Sequence, residues 1–381
     1  MLRGEVLPPF EVLIHPSSSC NLRCVWCIGD HIPIEIWDDS NELVTLDAAK
    51  TAHEMLPNTL ASVDAMLGLL QGIVDYTVPN PDGGEDYSVE AVSFSGLIGE
   101  PLSSKAAVTE GIHFLADHGK RIGLFTNAEL MDDKVRAALL RASYVNISLD
   151  AGKPETYALL KFEGRASGMK KFDRVLNNVR ALTEEVATSG SPLTVNASFI
   201  MYPETHHELY DAAAALHAAG VRTLRLKRDI SGDRLLNADQ VADTVAQIER
   251  IRRDLVDESF DLIEVHHIGE PVNLRRHFTH CRITDLMAAV GSDGCMYPCN
   301  YHPRPNGHSY GSVLEGKFRD VWEGAARADY RAGRLPRDCP KVCDPYKNRA
   351  NGMLEVIADI YEQQGQLDDA VAFARSVLVK H

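Results

Sequence analysis

The chain has 381 residues, 45% hydrophobic and 24% charged, an ordinary globular composition with length for one large domain and a smaller one. Its formal net charge of −15 argues against work that consists of gripping phosphate backbones, which rests on Lys and Arg, so nucleic acid is not expected as a partner. The opening string MLRGEVLPPFEVLIHP lacks the apolar core of a signal peptide, and no apolar run reaches the roughly 18 residues of a membrane span; a cytoplasmic protein without membrane association is expected.

From residue 11 onward, short β-branched runs alternate with amphipathic stretches, the pattern of parallel strands joined by crossover helices. Strands are predicted at EVLIH (11–15), AVSFS (91–95), RIGLFT (121–126), YVNISL (144–149), TVNASFIM (194–201) and RTLRLK (222–227), with a further one at DLIEV (261–265). The long connection 31–90 is read as a helix from about Thr45 to Ile73, then a polar turn at VPNPDGGED. Later helices carry apolar residues at helical spacing: Val108, Ile112 and Leu115; then Phe172, Val175, Leu176, Val179 and Leu182; then Val245, Ile248, Ile251 and Leu255. Six such units favour a partial (β/α)6 TIM-like barrel over a flat sheet, and either form puts chemistry at the C-terminal ends of the strands.

After residue 268 the alternation stops. LMAAV, Ser-Asp-Gly and CMYPC read as a hairpin turned at Asp293 and Gly294, and the Pro-, Gly- and Cys-rich stretch that follows reads as a small metal-stapled α+β unit. Two helices are expected from Gly352 onward. The domain reading is therefore 1–268 for the barrel, 269–349 for the Cys-rich unit and 350–381 for the terminal helices.

Three of the eight cysteines fall between 20 and 27 and five between 281 and 343, which is too few for a disulfide scaffold and points to two metal sites. Cys20, Cys24 and Cys27 form C-x3-C-x2-C in HPSSSCNLRCVWC, directly after the first strand. Three thiolates so close together can hold three irons of a cubane and leave the fourth open. The competing reading is a zinc knuckle, but closed zinc wants four ligands, and the nearest extra donors, His15 and His31, do not lie at a natural spacing.

With Trp26 before the last cysteine and Asn21 after the first, this motif resembles that of the radical S-adenosylmethionine (radical SAM) superfamily. The resemblance implies a [4Fe-4S] cluster on Cys20, Cys24 and Cys27 whose open iron chelates the methionine amino and carboxylate groups of S-adenosyl-L-methionine. It further implies an external electron donor such as flavodoxin or ferredoxin, and a 5′-deoxyadenosyl radical that abstracts hydrogen from substrate. Ser95-Gly96-Leu97-Ile98-Gly99-Glu100-Pro101 resembles the family's glycine-glycine-glutamate-proline loop, with Ile98 where its first glycine usually stands. Thr126-Asn127 and Ser148-Leu149-Asp150 resemble its strand-three and strand-four signatures, though Asp150 before Ala-Gly also suits a plain turn. The resemblance covers about residues 10 to 230. By it, Trp26, Ser95, Gly96, Gly99, Glu100, Pro101, Asn127, Ser148 and Asp150 are expected near the cofactor. Ser198 on the fifth strand is either a further contact or a buried serine bonded to backbone.

On the sixth strand Arg225 and Lys227 alternate with Leu224 and Leu226, so both point to one face. If that face is the barrel interior they are candidates for the cofactor carboxylate, a substrate oxygen or, with His266, the catalytic base. Cys281, Cys299, Cys339 and Cys343, with Gly294 ahead of Cys299, resemble the twitch or SPASM-type extension of radical enzymes. A full SPASM unit has more cysteines, so one auxiliary [4Fe-4S] cluster is expected, with a four-cysteine zinc site as the alternative. Cys295 is then left over, as a small buried hydrophobe, a hydrogen-atom donor to a substrate radical, or a replacement ligand. The expected function is a radical SAM oxidoreductase-type enzyme acting on a small polar molecule such as a sugar or aminocyclitol in natural-product tailoring. The alternatives are a radical SAM peptide maturase or epimerase using Cys295, and a non-catalytic electron-transfer or zinc protein.

Overall fold

The computed structural model describes residues 6–27, 35–37, 43–45, 56–81, 83–96, 99–230, 234–268, 278–303, 308–315, 317–337, 339, 343–364 and 372. Ten strands form one sheet: β1 Glu11–Ile14, β2 Ala91–Phe94, β3 Arg121–Thr126, β4 Tyr144–Ser148, β5 Thr194–Met201, β6 Thr223–Arg228, β7 Asp261–Glu264, β8 Met287–Val290, β9 Cys295–Tyr297 and β10 Gly311–Ser312. Their spatial order is β7-β6-β5-β4-β3-β2-β1-β8-β9-β10. Neighbours from β7 through to β8 are parallel, and β8, β9 and β10 pair antiparallel. The expected hairpin is present, with Ala289 opposite Tyr297 and Val290 opposite Met296, and it extends the barrel sheet through the β1–β8 pairing.

Helices α1 Val63–Val74, α2 Lys105–Asp117, α3 Asp133–Leu139, α4 Pro154–Lys161, α5 Ser167–Ser189, α6 Leu209–Ala218 and α7 Ala238–Asp254 pack outside the parallel strands; α8 Phe318–Trp322, α9 Ala325–Gly333 and α10 Pro345–Gln364 follow the hairpin. None of the described helices is long and apolar enough to cross a membrane.

Each strand divides its residues between two faces, as the period of two requires. Toward the helices lie Val12, Ile14, Val92, Phe94, Ile122, Leu124, Val145, Ile147, Ala197, Phe199, Leu224 and Leu226, all fully buried. Removing each larger one from water contributes about 1.5–3 kcal/mol, so this layer is what joins helices to sheet. The opposite face carries the sheet's polar residues, interspersed with Leu13, Phe125 and Ile200. Registers align Ser148 with Ser198 and Ser198 with Arg225, so these side chains share the inner face of the barrel with Lys227.

The inner face is sealed at its N-terminal end by a short chain of hydrogen bonds, in which the Ser93 hydroxyl donates to Glu11 Oε1 at 2.6 Å and lies 2.9 Å from the Tyr144 hydroxyl. Gly123 makes room for that ring: a Cβ there would meet Tyr144 Cζ at 2.3 Å.

The structure corrects three local expectations. Leu43–Thr45 is a strand paired with Glu35–Trp37, and the helix begins only at Val63, capped by Ser62. Residues 46–55 lie outside the described set, and Pro57 pushes Leu56 out of the helical region. Along α7, Val245 is 40% exposed, while Thr244 is fully buried and bonds Gln240 O. The last described helix starts at Pro345 rather than near Gly352, and the expected second helix falls almost entirely on residues outside the described set.

Gly123→Ala is expected to destabilise the protein by roughly 1–3 kcal/mol through overpacking. In denaturant unfolding, its effect and that of Tyr144→Val should be clearly less than additive; full additivity would exclude the clash.

Candidate active site

The loop after β1 carries Cys20, Cys24 and Cys27 across the C-terminal mouth of the barrel, and several contacts fix its path. Arg23 N and Val25 N donate to Lys161 O (3.0 Å) and Leu160 O (2.9 Å), strapping the loop to the end of α4. Glu100 N donates to Ser19 O at 2.9 Å, and Asn58 Oδ1 receives Ser18 N at 2.7 Å. Gly99 has φ +108°, and a Cβ there would meet Ser17 O at 2.2 Å; with Gly96, where a Cβ would strike Gly99 O, it lets the loop after β2 lie directly against the cysteine loop. Leu97 and Ile98 lie outside the described residues.

The three thiols share one neighbourhood. Cys24, Cys27 and Glu100 all act electrostatically on Cys20, and burial, chiefly, raises its thiol to about 12. Leu22 N donates to Cys20 Sγ at 3.4 Å. Cysteine binds metal as thiolate, so a metal must displace that proton. No disulfide engages any of the eight cysteines. Among the described residues, no three His, Cys, Asp or Glu side chains gather as the ligands of a single ion would.

Two polar networks hold the loop from below. In the first, Glu100, 4% exposed, receives Thr126 Oγ1, Asn127 N (2.9 Å) and Leu102 N (3.1 Å). Burial raises its pKa and those donors pull it back. Asn127 Nδ2 donates to Asn21 Oδ1 (2.9 Å), and Asn21 Nδ2 to Glu129 Oε2 (2.6 Å); Lys171 and Arg174 neutralise Glu129 from α5.

The second centres on Lys161. Its ammonium donates to Ser148 O at 2.7 Å and Asp150 Oδ2 at 2.9 Å, while Asp150 Oδ1 receives Ile200 N at 3.0 Å. Burial opposes the charge on Lys161, but Asp150, Tyr157 and Cys24 together outweigh it and the pKa is raised. Asp150 holds φ +58°, a left-handed conformation that Asp tolerates. Trp26 stacks on Tyr202 with ring centroids 4.3 Å apart.

The sequence-predicted residues therefore fall into one region at the strand ends. Ser95 N bonds Ile14 O, Pro101 is buried behind Glu100, and Asn127, Ser148 and Asp150 lie around the cysteine loop as described. Ser198 is buried and receives Asn146 Nδ2 at 3.1 Å. Arg225 and Lys227 occupy the inner face of β6; burial, then Arg225, lowers the Lys227 pKa. His266 is buried and lowered to about 4, mainly by desolvation, and its Nδ1 receives Arg228 N.

The C-terminal cysteines also converge. Cys299 acts on Cys281, whose pKa burial raises to about 11, and Cys299 and Cys343 both act on buried Tyr301. Helix α10 positions them: Asn351 Oδ1 receives Arg282 N and Ile283 N beside Cys281, and Lys347 Nζ donates to Asn300 beside Cys299. Charges at the start of α10 act on groups on or just past β1, β6 and β7, Lys347 on His15 and Asp344 on Lys227 and His266. Cys339 packs against the same core. Cys295 stands apart, on the hairpin beside Asp293 and Ser309, with its thiol raised by burial to about 11.

Sequence reasoning missed Lys161, Glu129, Tyr202 and Asp344 as parts of the site. An aromatic residue just past the fifth strand was the available signal for Tyr202. The others act through contacts that no local spacing encodes.

The fold of this chain, a largely parallel sheet with helices outside it, is shared with several solved structures. Streptococcus suis SuiB bound to S-adenosylmethionine superposes with TM-score 0.56 at 15% identity, covering 91% of this chain and 72% of that one. SuiB bound to precursor peptide SuiA gives 0.55 at 13%, covering 91% and 73%, and native anSMEcpe with bound AdoMet and Cp18Cys peptide gives 0.52 at 14%, covering 85% and 83%. The chain thus has the partial-barrel fold with a Cys-rich C-terminal region that its motifs led us to expect. In sequence, a Methanocaldococcus jannaschii protein described as uncharacterized is 34% identical over 92 residues, 24% of this chain; the match spans 30% of that relative's length. No protein-family model matches the chain.

Lys161→Met is expected to cost about 3–5 kcal/mol by leaving the Asp150 charge buried and unpaired. Adding Asp150→Asn should recover a substantial part in a double-mutant cycle, whereas additive losses would show that the pair does not couple.

Proposed function

We propose that this chain is a radical enzyme that uses S-adenosyl-L-methionine and an iron–sulfur cluster on Cys20, Cys24 and Cys27 to modify a peptide. The observation that carries the reading is the cysteine loop itself, in which Cys24 and Cys27 both act on the Cys20 thiol and which is strapped to the end of α4 at the mouth of the barrel.

The donor set fits a cluster with one open corner, since the charged or sulfur groups acting on the Cys20 thiol are Glu100, Cys24 and Cys27, and Glu100 is already engaged by three donors. When bound, the cluster and S-adenosylmethionine supply a carbon-centred radical able to take a hydrogen atom from an unactivated carbon. This chain's residues do the rest. Trp26, Ser95, Gly96, Gly99, Glu100, Pro101, Asn127, Ser148, Asp150 and Ser198 line or support the cofactor's place. The strap from Lys161 keeps the loop fixed.

Cys281, Cys299, Cys339 and Cys343 would hold one auxiliary [4Fe-4S] cluster, a second redox-active position that supports an oxidoreductase-type reaction. Solved relatives of this fold were captured with peptides, which favours a peptide over the sugar or aminocyclitol expectation. An external protein is the proposed electron donor. The boundaries 1–268, 269–349 and 350–381 remain the proposed division of the chain.

Anaerobically reconstituted protein should hold about eight irons with matching sulfide and, once reduced, convert S-adenosylmethionine to 5′-deoxyadenosine. Cys24→Ala should abolish that conversion, whereas Cys281→Ala should lose about four irons yet keep the N-terminal cluster. Stoichiometric zinc without sulfide would overturn the reading.

A further inference from the structure

The inner face of β6 holds two cations with an unmet requirement. Among the described residues, neither the Arg225 guanidinium nor the Lys227 ammonium takes part in any hydrogen bond or ion pair, and the acids that act on Lys227 are each engaged elsewhere.

 The acids concerned are two, Asp150 and Asp344, which lie 77 residues before and 117 residues after Lys227 in the chain (227 − 150 and 344 − 227). Both act on Lys227 only at a distance. Asp150 is already engaged by Lys161 and Ile200 N, and Asp344 Oδ1 receives Tyr346 N and Lys347 N at the start of α10.

The two cations stand on one face of one strand, two residues apart, which places their Cα atoms about 7 Å from each other. Like charges so placed repel, and partial burial removes the water that would screen them. Burial and the nearby Arg225 hold the Lys227 pKa below its ordinary value. The neighbouring strands add a second unmet group: Asn146, 1% exposed, spends its Nδ2 on Ser198 Oγ, while its Oδ1 is buried without a partner. Ser198 on β5 is the register partner of Arg225 and takes the Asn146 amide, so the orphaned acceptor lies two strands from the cation pair, on the far side of β5. A ligand with an anionic oxygen and an N–H or O–H donor would satisfy both.

We propose that Arg225 and Lys227 form an anion subsite inside the barrel that takes a carboxylate of the substrate, the side chain of an acidic residue in the modified peptide. Arg225 offers a planar fork suited to two carboxylate oxygens, and Lys227 a point charge beside it. The proposal deepens the radical-enzyme reading and rests on it for the identity of the substrate. The other source of the same chemistry is the methionine carboxylate of the cofactor, and the test separates the two.

The reconstituted, unreduced holoenzyme saturated with S-adenosylmethionine is titrated by NMR with carbon-13 glutarate, a mimic of the glutamate side chain, and with neutral glutaramide. Glutarate should bind and glutaramide should not. Arg225→Gln and Lys227→Gln should each weaken glutarate about tenfold, the loss of one charge-assisted contact. Lys227→Arg should stay close to wild type, and S-adenosylmethionine affinity, read by equilibrium dialysis, should not change. Two outcomes overturn the subsite: glutarate bound equally by wild type and both Gln variants, or no glutarate binding by wild-type protein, in which case weakened S-adenosylmethionine binding in the variants assigns the cations to the cofactor carboxylate. Circular dichroism melting identifies a variant that merely misfolds, and Lys227→Arg then carries the comparison with wild type. Failure of wild-type protein to cleave S-adenosylmethionine after reduction would sink the radical reading instead, and the glutarate titration reads the subsite independently of it.

Discussion

The position of the cysteine loop depends on one buried ion pair. Lys161 meets Asp150 at 2.9 Å, and the same lysine offers its carbonyl to Arg23 N inside the loop. One residue therefore ties the end of α4 to the end of β4 and to the segment between Cys20 and Cys24. A buried pair is favourable only where the remaining hydrogen-bonding positions are filled, because desolvation otherwise exceeds the Coulombic gain. Here Ser148 O takes a further ammonium proton, and Ile200 N fills the second carboxylate oxygen. The pair is thus a joint among β4, β5, α4 and the loop, and its effect on chemistry runs through the geometry it imposes.

The second organising feature is the asymmetry of the sheet. A parallel strand covered on both faces normally reads as a continuous apolar run. In β4, β5 and β6 the apolar residues alternate with Asn146, Ser148, Asn196, Ser198, Arg225 and Lys227, so helices cover one face and the other carries these polar residues. Charged groups at the start of α10 act on both His15 after β1 and Lys227 on β6. They follow directly on Cys343, so the second cysteine set and these charges share one segment.

Much of this was legible because it is periodic. Alternation placed Arg225 and Lys227 on one face, the Asp293-Gly294 turn placed the hairpin, and C-x3-C-x2-C after the first strand placed the loop. What escaped was carried by long-range partners. Lys161 ends an amphipathic helix, where a lysine normally serves the helix dipole in water, and only the folded chain shows it 2% exposed. Glu129 follows Thr126-Asn127 like any turn acid, and its partners come from Asn21 and from α5. The helix read from Thr45 to Ile73 failed because apolar spacing was weighed without Pro57, and Val245 was misjudged because Thr244 could turn its hydroxyl back to Gln240 O and serve as the buried residue.

Charge on two scales bears on how such an interior selects a substrate. The whole chain carries −15, a field that opposes the approach of an acidic molecule at long range. That field is screened beyond about 8 Å at physiological salt, whereas charges lining an interior are screened far less. An anion that enters the barrel therefore gains nothing on the way in and meets Arg225 and Lys227 only once inside. Recognition of this kind sets how long a ligand stays rather than how fast it arrives, so acidic molecules that fit the mouth are retained and the many that do not are kept away by the same surface.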